Sequence, residues 1–128
     1  MNENDDAQRQ YALRILPRAE RDIEAQTVRL ADLIGPEVAL AWHKGLFDAI
    51  ATLAHKPRRC AAAKEKNRFK REVYQLLYRR TSAGVAWRVL FTVSEESEEA
   101  PTVNLIHIRH GAQRLLTRTE ARAIEAQE

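Results

Sequence analysis

Cys60 is the only cysteine in 128 residues. An intrachain disulfide is therefore impossible within this sequence, and a cysteine-built zinc site is not expected. A single free thiol fits a reducing compartment, so a cytoplasmic location is expected. No apolar run approaches the roughly 20 residues that a membrane span needs, so no membrane partner is expected. The opening stretch, MNENDDAQRQ, is polar and net acidic and lacks the apolar core of a secretory signal. There is no glycine-rich phosphate loop, no Walker or Rossmann signature and no GxSxG elbow. No metal site and no cofactor are expected. Aromatic residues make up only 6% of the chain, too few to suggest base stacking as the main mode of any RNA contact.

What is present is an ordinary proportion of hydrophobic (45%) and charged (30%) residues, enough for one modest domain. The net charge of +3 is mild, but the charge is unevenly spread. From Lys56 to Arg80 there are ten lysines and arginines and only two acids, Glu65 and Glu72. Acids gather instead at the N-terminus and in the 95–99 turn. A basic block of this kind attracts phosphates or an acidic protein; a solvated surface loop is the plain alternative.

Periodicity supplies the element order. Tyr11–Leu16 alternates like a strand and stops at Pro17. Residues 18–34 carry Ile23, Thr27, Leu30 and Ile34 on one helical stripe. Gly35-Pro36 separates them from a second helix, Glu37–Ala54, whose stripe is Val38, Trp42, Leu46, Ile50 and Leu53. So short a connection folds the two helices into a hairpin. Residues 55–71 read as a long basic connection. Val73–Tyr78, Ala86–Val93 and Val103–Arg109 then read as three strands, the last one covered on both faces. Residues 113–128 read as a polar helical extension, and 1–9 as a loose, disordered tail. The expectation is an α+β fold of order β-α-α-β-β-β, with the helical hairpin packed on a mainly antiparallel sheet and the domain running over 10–112.

Three residues stand out for chemistry. Arg88 is mid-strand, where a guanidinium needs an anion or a path to solvent. Arg109 and His110 close the last strand before Gly111, which suits a sharp exit with positive φ. His110 has the chemistry of a general acid or base near neutral pH, and a turn hydrogen bond is the simpler role. Lys64, Lys66, Arg68, Lys70, Arg71, Arg79, Arg80 and Arg114 are the candidate nucleic-acid contacts. The basic surroundings of Cys60 are of the kind that lowers a thiol pKa, with an inert lone cysteine as the plainer reading.

The chain resembles the RelE/ParE toxins of bacterial type II toxin–antitoxin pairs. The resemblance covers about Tyr11 to Ala112. It rests on Pro17 followed by AERDIE, the Gly35-Pro36 break, the Trp42, Leu46, Ile50, Leu53 helix, and Pro57 with Arg59-Cys60. It continues through YQLLYRR, WRVLFTV and IHIRHGA. It implies a toxin neutralised by a cognate antitoxin, with operator DNA reached only through that antitoxin. Two activities are implied. RelE-like members cleave mRNA on the ribosome; ParE-like members inhibit DNA gyrase and are not nucleases. Of the nuclease residues, only the third-strand arginine carries over, onto Arg88. The second-strand lysines fall at Gln75 and Leu77, the arginine after the last strand falls near Gly111, and no tyrosine follows Tyr78. The leading expectation is an mRNA-cleaving, metal-independent endoribonuclease that uses Arg88, Arg109 and His110. The alternatives are gyrase inhibition and a degenerate toxin that keeps only antitoxin binding.

Overall fold

The computed structural model describes residues 9–95 and 100–127. Strand β1 (Ala12–Ile15) leads into helix α1 (Pro17–Leu33) and helix α2 (Pro36–Ala51). Two short 3-10 turns follow, Thr52–Ala54 and Pro57–Arg59. Strands β2 (Ala61–Ala62), β3 (Tyr74–Tyr78), β4 (Trp87–Ser94) and β5 (Thr102–His110) precede helix α3 (Arg118–Glu125). The sheet order is β1-β5-β4-β3-β2. Only the β1–β5 pair is parallel, so the expected α+β fold, with a hairpin on a mainly antiparallel sheet, is what forms. Among the described residues no helix is long and apolar enough to cross a membrane.

Alternation along the strands divides the interior in two, because successive side chains point to opposite faces. Val89 and Phe91 of β4 join Trp42, Leu46, Ile50 and Leu53 in the large cluster beneath the helical hairpin. Leu90 faces the other way, with Ile106, Phe69, Val73, Leu116, Ala121 and Ile124. The second face is therefore covered by the basic connection and the C-terminal segment. Trp42 anchors the hairpin side, with its ring edge-on to Trp87 at 5.2 Å and to Tyr78 at 6.4 Å. Tyr78 also donates a hydrogen bond to the Trp42 carbonyl. That approach requires Gly45, where a Cβ would collide with the Tyr78 hydroxyl.

Several expectations are corrected. The 55–71 connection is not wholly irregular: Ala61–Ala62 pairs with Tyr74 and Gln75 and gives the sheet a fifth strand. Ile34 does not join the buried stripe; it caps α1 and is 63% exposed. Gly111 has no positive φ. Its need for glycine is steric, since a Cβ there would strike the Ala86 carbonyl that its own N–H engages at 2.8 Å. The C-terminal helix begins only at Arg118. Upstream of it, backbone groups of residues 114 and 116 are bound by sheet and loop side chains and cannot serve a helix. The expected tail lies, apart from Arg9, outside the described residues; Arg9 reaches Glu95 at 3.2 Å. Most of the acidic 95–99 turn is also outside them.

Candidate functional site

Arg88 and Arg109 are direct cross-strand partners on β4 and β5. Both are buried, and both point to the face that carries the C-terminal segment. Two like charges opposite one another are unfavourable on a sheet unless each is answered. Arg88, only 2% exposed, is answered by Glu65, which takes Nη1 at 3.0 Å and Nη2 in a still closer contact. Gln75 Oε1 accepts from Arg88 Nε at 3.1 Å and from Nη2 at 2.9 Å. The guanidinium fork is thus filled by protein acceptors. Arg109 donates through Nε and Nη2 to the Arg114 carbonyl, at 3.0 and 2.7 Å.

Glu65 is the residue that sequence reasoning passed over. It also accepts the Leu116 N–H at 2.9 Å, so one carboxylate joins the sheet, the basic connection and the C-terminal segment. Burial pushes this carboxyl up, but hydrogen bonds from Arg88 and Leu116 outweigh it and hold it below the usual carboxylate range. The available signal was its isolation, since an acid inside a basic block and a lone arginine inside an apolar strand each require a partner.

His110 does not join the two arginines. Adjacent strand residues face opposite ways, and its ring stands edge-on to Trp87 at 4.8 Å, on the hairpin side. There it lines a groove of about 350 Å³ with Gln26, Arg29, Leu30, Leu33 and Gln113. Its Nδ1 accepts the Ala112 N–H at 3.1 Å, which leaves the proton of the neutral ring on Nε2. The expected convergence of Arg88, Arg109 and His110 is therefore not what the strands give: the sheet lies between them. His107 is buried, with Nδ1 2.8 Å from Asp22 of α1, and the same carboxylate accepts the Ile108 N–H. Both contacts fall beside the irregularity in the β4–β5 register.

The basic candidates separate into three places. Lys64, Lys66, Arg68, Lys70 and Arg71 lie in the connection before β3, and all but the half-buried Arg68 are exposed. Arg68 donates to the Leu116 carbonyl at 2.5 Å. Arg79 and Arg80 sit at the other end of β3, where Arg79 donates to the Gly84 carbonyl. Arg114 pairs with Glu120 at 2.7 Å. Burial pushes the Cys60 thiol up despite nearby Arg59, which suits the inert reading rather than an activated thiol. Among the described residues no group of three or more His, Cys, Asp or Glu is placed to hold a metal ion. Glu95 ties the start of the chain to the sheet by accepting from Arg58 at 2.7 Å, Arg9 and the Tyr11 hydroxyl.

A helical hairpin on one face of such a sheet, with buried arginines on the other, defines a small α+β domain. It is similar in fold to a chain of the chromosomal ParDE toxin–antitoxin system from P. aeruginosa. The TM-score is 0.61 at 18% identity, over 80% of this chain and 97% of that one. The family described as the ParE toxin of the type II toxin–antitoxin system parDE matches residues 13–115, and the chain belongs to it. A search of the curated proteins gives no significant match.

Proposed function

We propose that this type II toxin acts as a gyrase inhibitor without nuclease activity, rather than as an mRNA-cleaving enzyme. One observation carries the reading: Arg88 is engaged by Glu65 and Gln75, and Arg109 by the Arg114 carbonyl, while His110 projects from the opposite face. Cleavage of RNA through the 2′-hydroxyl needs an acid, a base and a cation around one phosphate. Among the described residues no such trio of Arg88, Arg109 and His110 converges. The second-strand positions that hold lysines in RelE-like nucleases are used otherwise: Gln75 accepts from Arg88, and Leu77 is exposed.

The natural partner is a cognate antitoxin. The apolar surface open to it is the groove of about 610 Å³ beside β1, where Leu13, Ile15, Ile23, Val28 and Phe47 meet Glu20, Glu24 and His43. β1 is an edge strand, so an extended segment laid there gains backbone hydrogen bonds as well as apolar contact.

The test pairs two assays on one protein. Purified toxin is expected to block supercoiling by gyrase, while primer extension on a translated message, soon after induction without antitoxin, gives no new ends. Codon-placed ends, with supercoiling untouched, would return the assignment to mRNA cleavage. Intact message, active gyrase and normal growth would leave only antitoxin binding.

A further inference from the structure

The carboxylate of Glu125, at the end of α3, sits on two successive backbone N–H groups of the basic connection. Lys70 N donates to both of its oxygens at 3.0 Å, and Arg71 N donates to one at 3.1 Å. Two adjacent amides converging on one anion form a nest, a geometry that takes phosphate as readily as carboxylate. Arg122 Nη1 adds a contact at 3.3 Å, and the Glu125 side chain is only 11% exposed. Lys70, Arg71, Arg122 and Glu125 line one open depression of about 560 Å³. Lys64 and Lys66 stand exposed on the same connection, whereas Glu72 lines a different depression. Among the described residues Glu125 is thus the one acid lining a basic concavity whose amides already point at an oxyanion.

We infer that the Lys70–Arg71 nest is a binding site for a backbone phosphodiester of nucleic acid, closed in this structure by the chain's own Glu125. A phosphodiester is favoured over a single small anion because the cations extend along the connection, matching a repeating charge. The plug is removable. α3 has eight residues, too few to be stable alone, and it is held by Leu116, Ala121, Ile124 and these polar contacts. The inference stands independently of the gyrase reading, since it concerns the opposite end of β3 from Arg79 and uses neither Arg88 nor His110.

The test compares wild type, Glu125→Ala and Glu125→Gln for binding a fluorescein-labelled single-stranded oligonucleotide. Amide resonances of Lys70 and Arg71 are followed in the same titrations. Glu125→Ala is expected to bind at least about tenfold tighter than wild type, the scale of one lost charge-assisted competitor. Glu125→Gln keeps a neutral acceptor of the same shape, should fold normally and should fall between the two. The two amides should shift on adding oligonucleotide to either variant. Glu37→Ala changes net charge equally and leaves the plug in place, so it should stay at the wild-type affinity. Equal affinity in wild type and both Glu125 variants would overturn the inference, as would a matching gain in Glu37→Ala. Amide shifts with inorganic phosphate but none with the oligonucleotide, or stronger shifts with a polyglutamate peptide than with the oligonucleotide, would overturn the nucleic-acid assignment.

Discussion

The two faces of the sheet are held by different physics. Beneath the helical hairpin the contacts are mainly apolar and aromatic, among Trp42, Leu46, Ile50, Leu53, Val89 and Phe91, all essentially inaccessible, with Asp22 the carboxylate that reaches β5. On the other face a smaller apolar cluster surrounds a buried ion pair, and the covering segment is tied down by Glu65, Arg68, Arg109 and Glu125. An apolar contact keeps its worth across pH and loses stability in proportion to the atoms removed. A buried ion pair is worth little relative to an apolar replacement of both partners, yet is costly to break on one side. The hairpin face should therefore behave as a packing problem, and the C-terminal face as a charge-matching problem.

The sharpest way to break this contrast is Glu65→Ala. It leaves Arg88 buried without its carboxylate and frees the Leu116 N–H, so a loss of about 3–5 kcal/mol is expected in urea unfolding. Replacing both partners, Glu65→Leu with Arg88→Met, should restore most of that loss, because no orphaned charge remains. If the double variant is as unstable as Glu65→Ala, the pair is not acting as a coupled unit. On the hairpin face, Leu46→Ala should cost about 2–5 kcal/mol through lost transfer energy and a cavity. Here no second substitution of opposite charge rescues, and the cost should be the same at acid and neutral pH.

The pH dependence sharpens the contrast further. Glu65 and Glu95 both have depressed folded-state values. For Glu65, burial raises the carboxyl and is outweighed by Arg88 and Leu116. For Glu95, the Tyr11 hydroxyl leads, against burial, with Arg58 and Arg9 adding to it. A depressed carboxylate contributes stability that is fully present above its unfolded value, about 4.3 for glutamate, and loses it as pH falls through the folded value. Unfolding midpoints are therefore expected to drop below about pH 4. The Glu65→Leu, Arg88→Met protein should lose a clear part of that drop. An unchanged acid limb would show that Glu65 does not set it.

Which parts were legible follows from the same division. The hairpin stripe from Trp42 to Leu53 and the alternation of Trp87, Val89 and Phe91 are local patterns, and a local pattern can be read along the chain. Ala61–Ala62 cannot, because two alanines carry no period; only Tyr74 and Gln75 make them a strand. Arg88 advertised the need for a partner, but Glu65 lies 23 residues away in a connection that reads as basic. The separation of His110 from Arg109 was in principle legible from strand alternation. Arg109-His110-Gly111 reads as one cluster at a strand end only when that alternation is set aside. The late start of α3 was not legible at all, since the groups that hold residues 114–116 extended come from β5 and the basic connection.

The smallest expected effect concerns what holds α3 in place. Thr117 caps it: its hydroxyl accepts the Glu120 N–H at 3.1 Å, and Glu120 accepts the Thr117 N–H at 2.9 Å. This reciprocal box satisfies two amides that would otherwise face water unpaired. Arg114 and the Thr117 amide hold the half-buried Glu120 carboxyl down to about 2, although solvent screens such pairing at a site this open. Thr117→Ala should cost about 1 kcal/mol. The loss should appear first as faster amide exchange over residues 118–125, with the hairpin amides unchanged, because a short capped helix opens locally before the whole domain does. If amides of α1 and α2 accelerate equally, α3 does not open on its own, and the two faces of the sheet unfold as one unit.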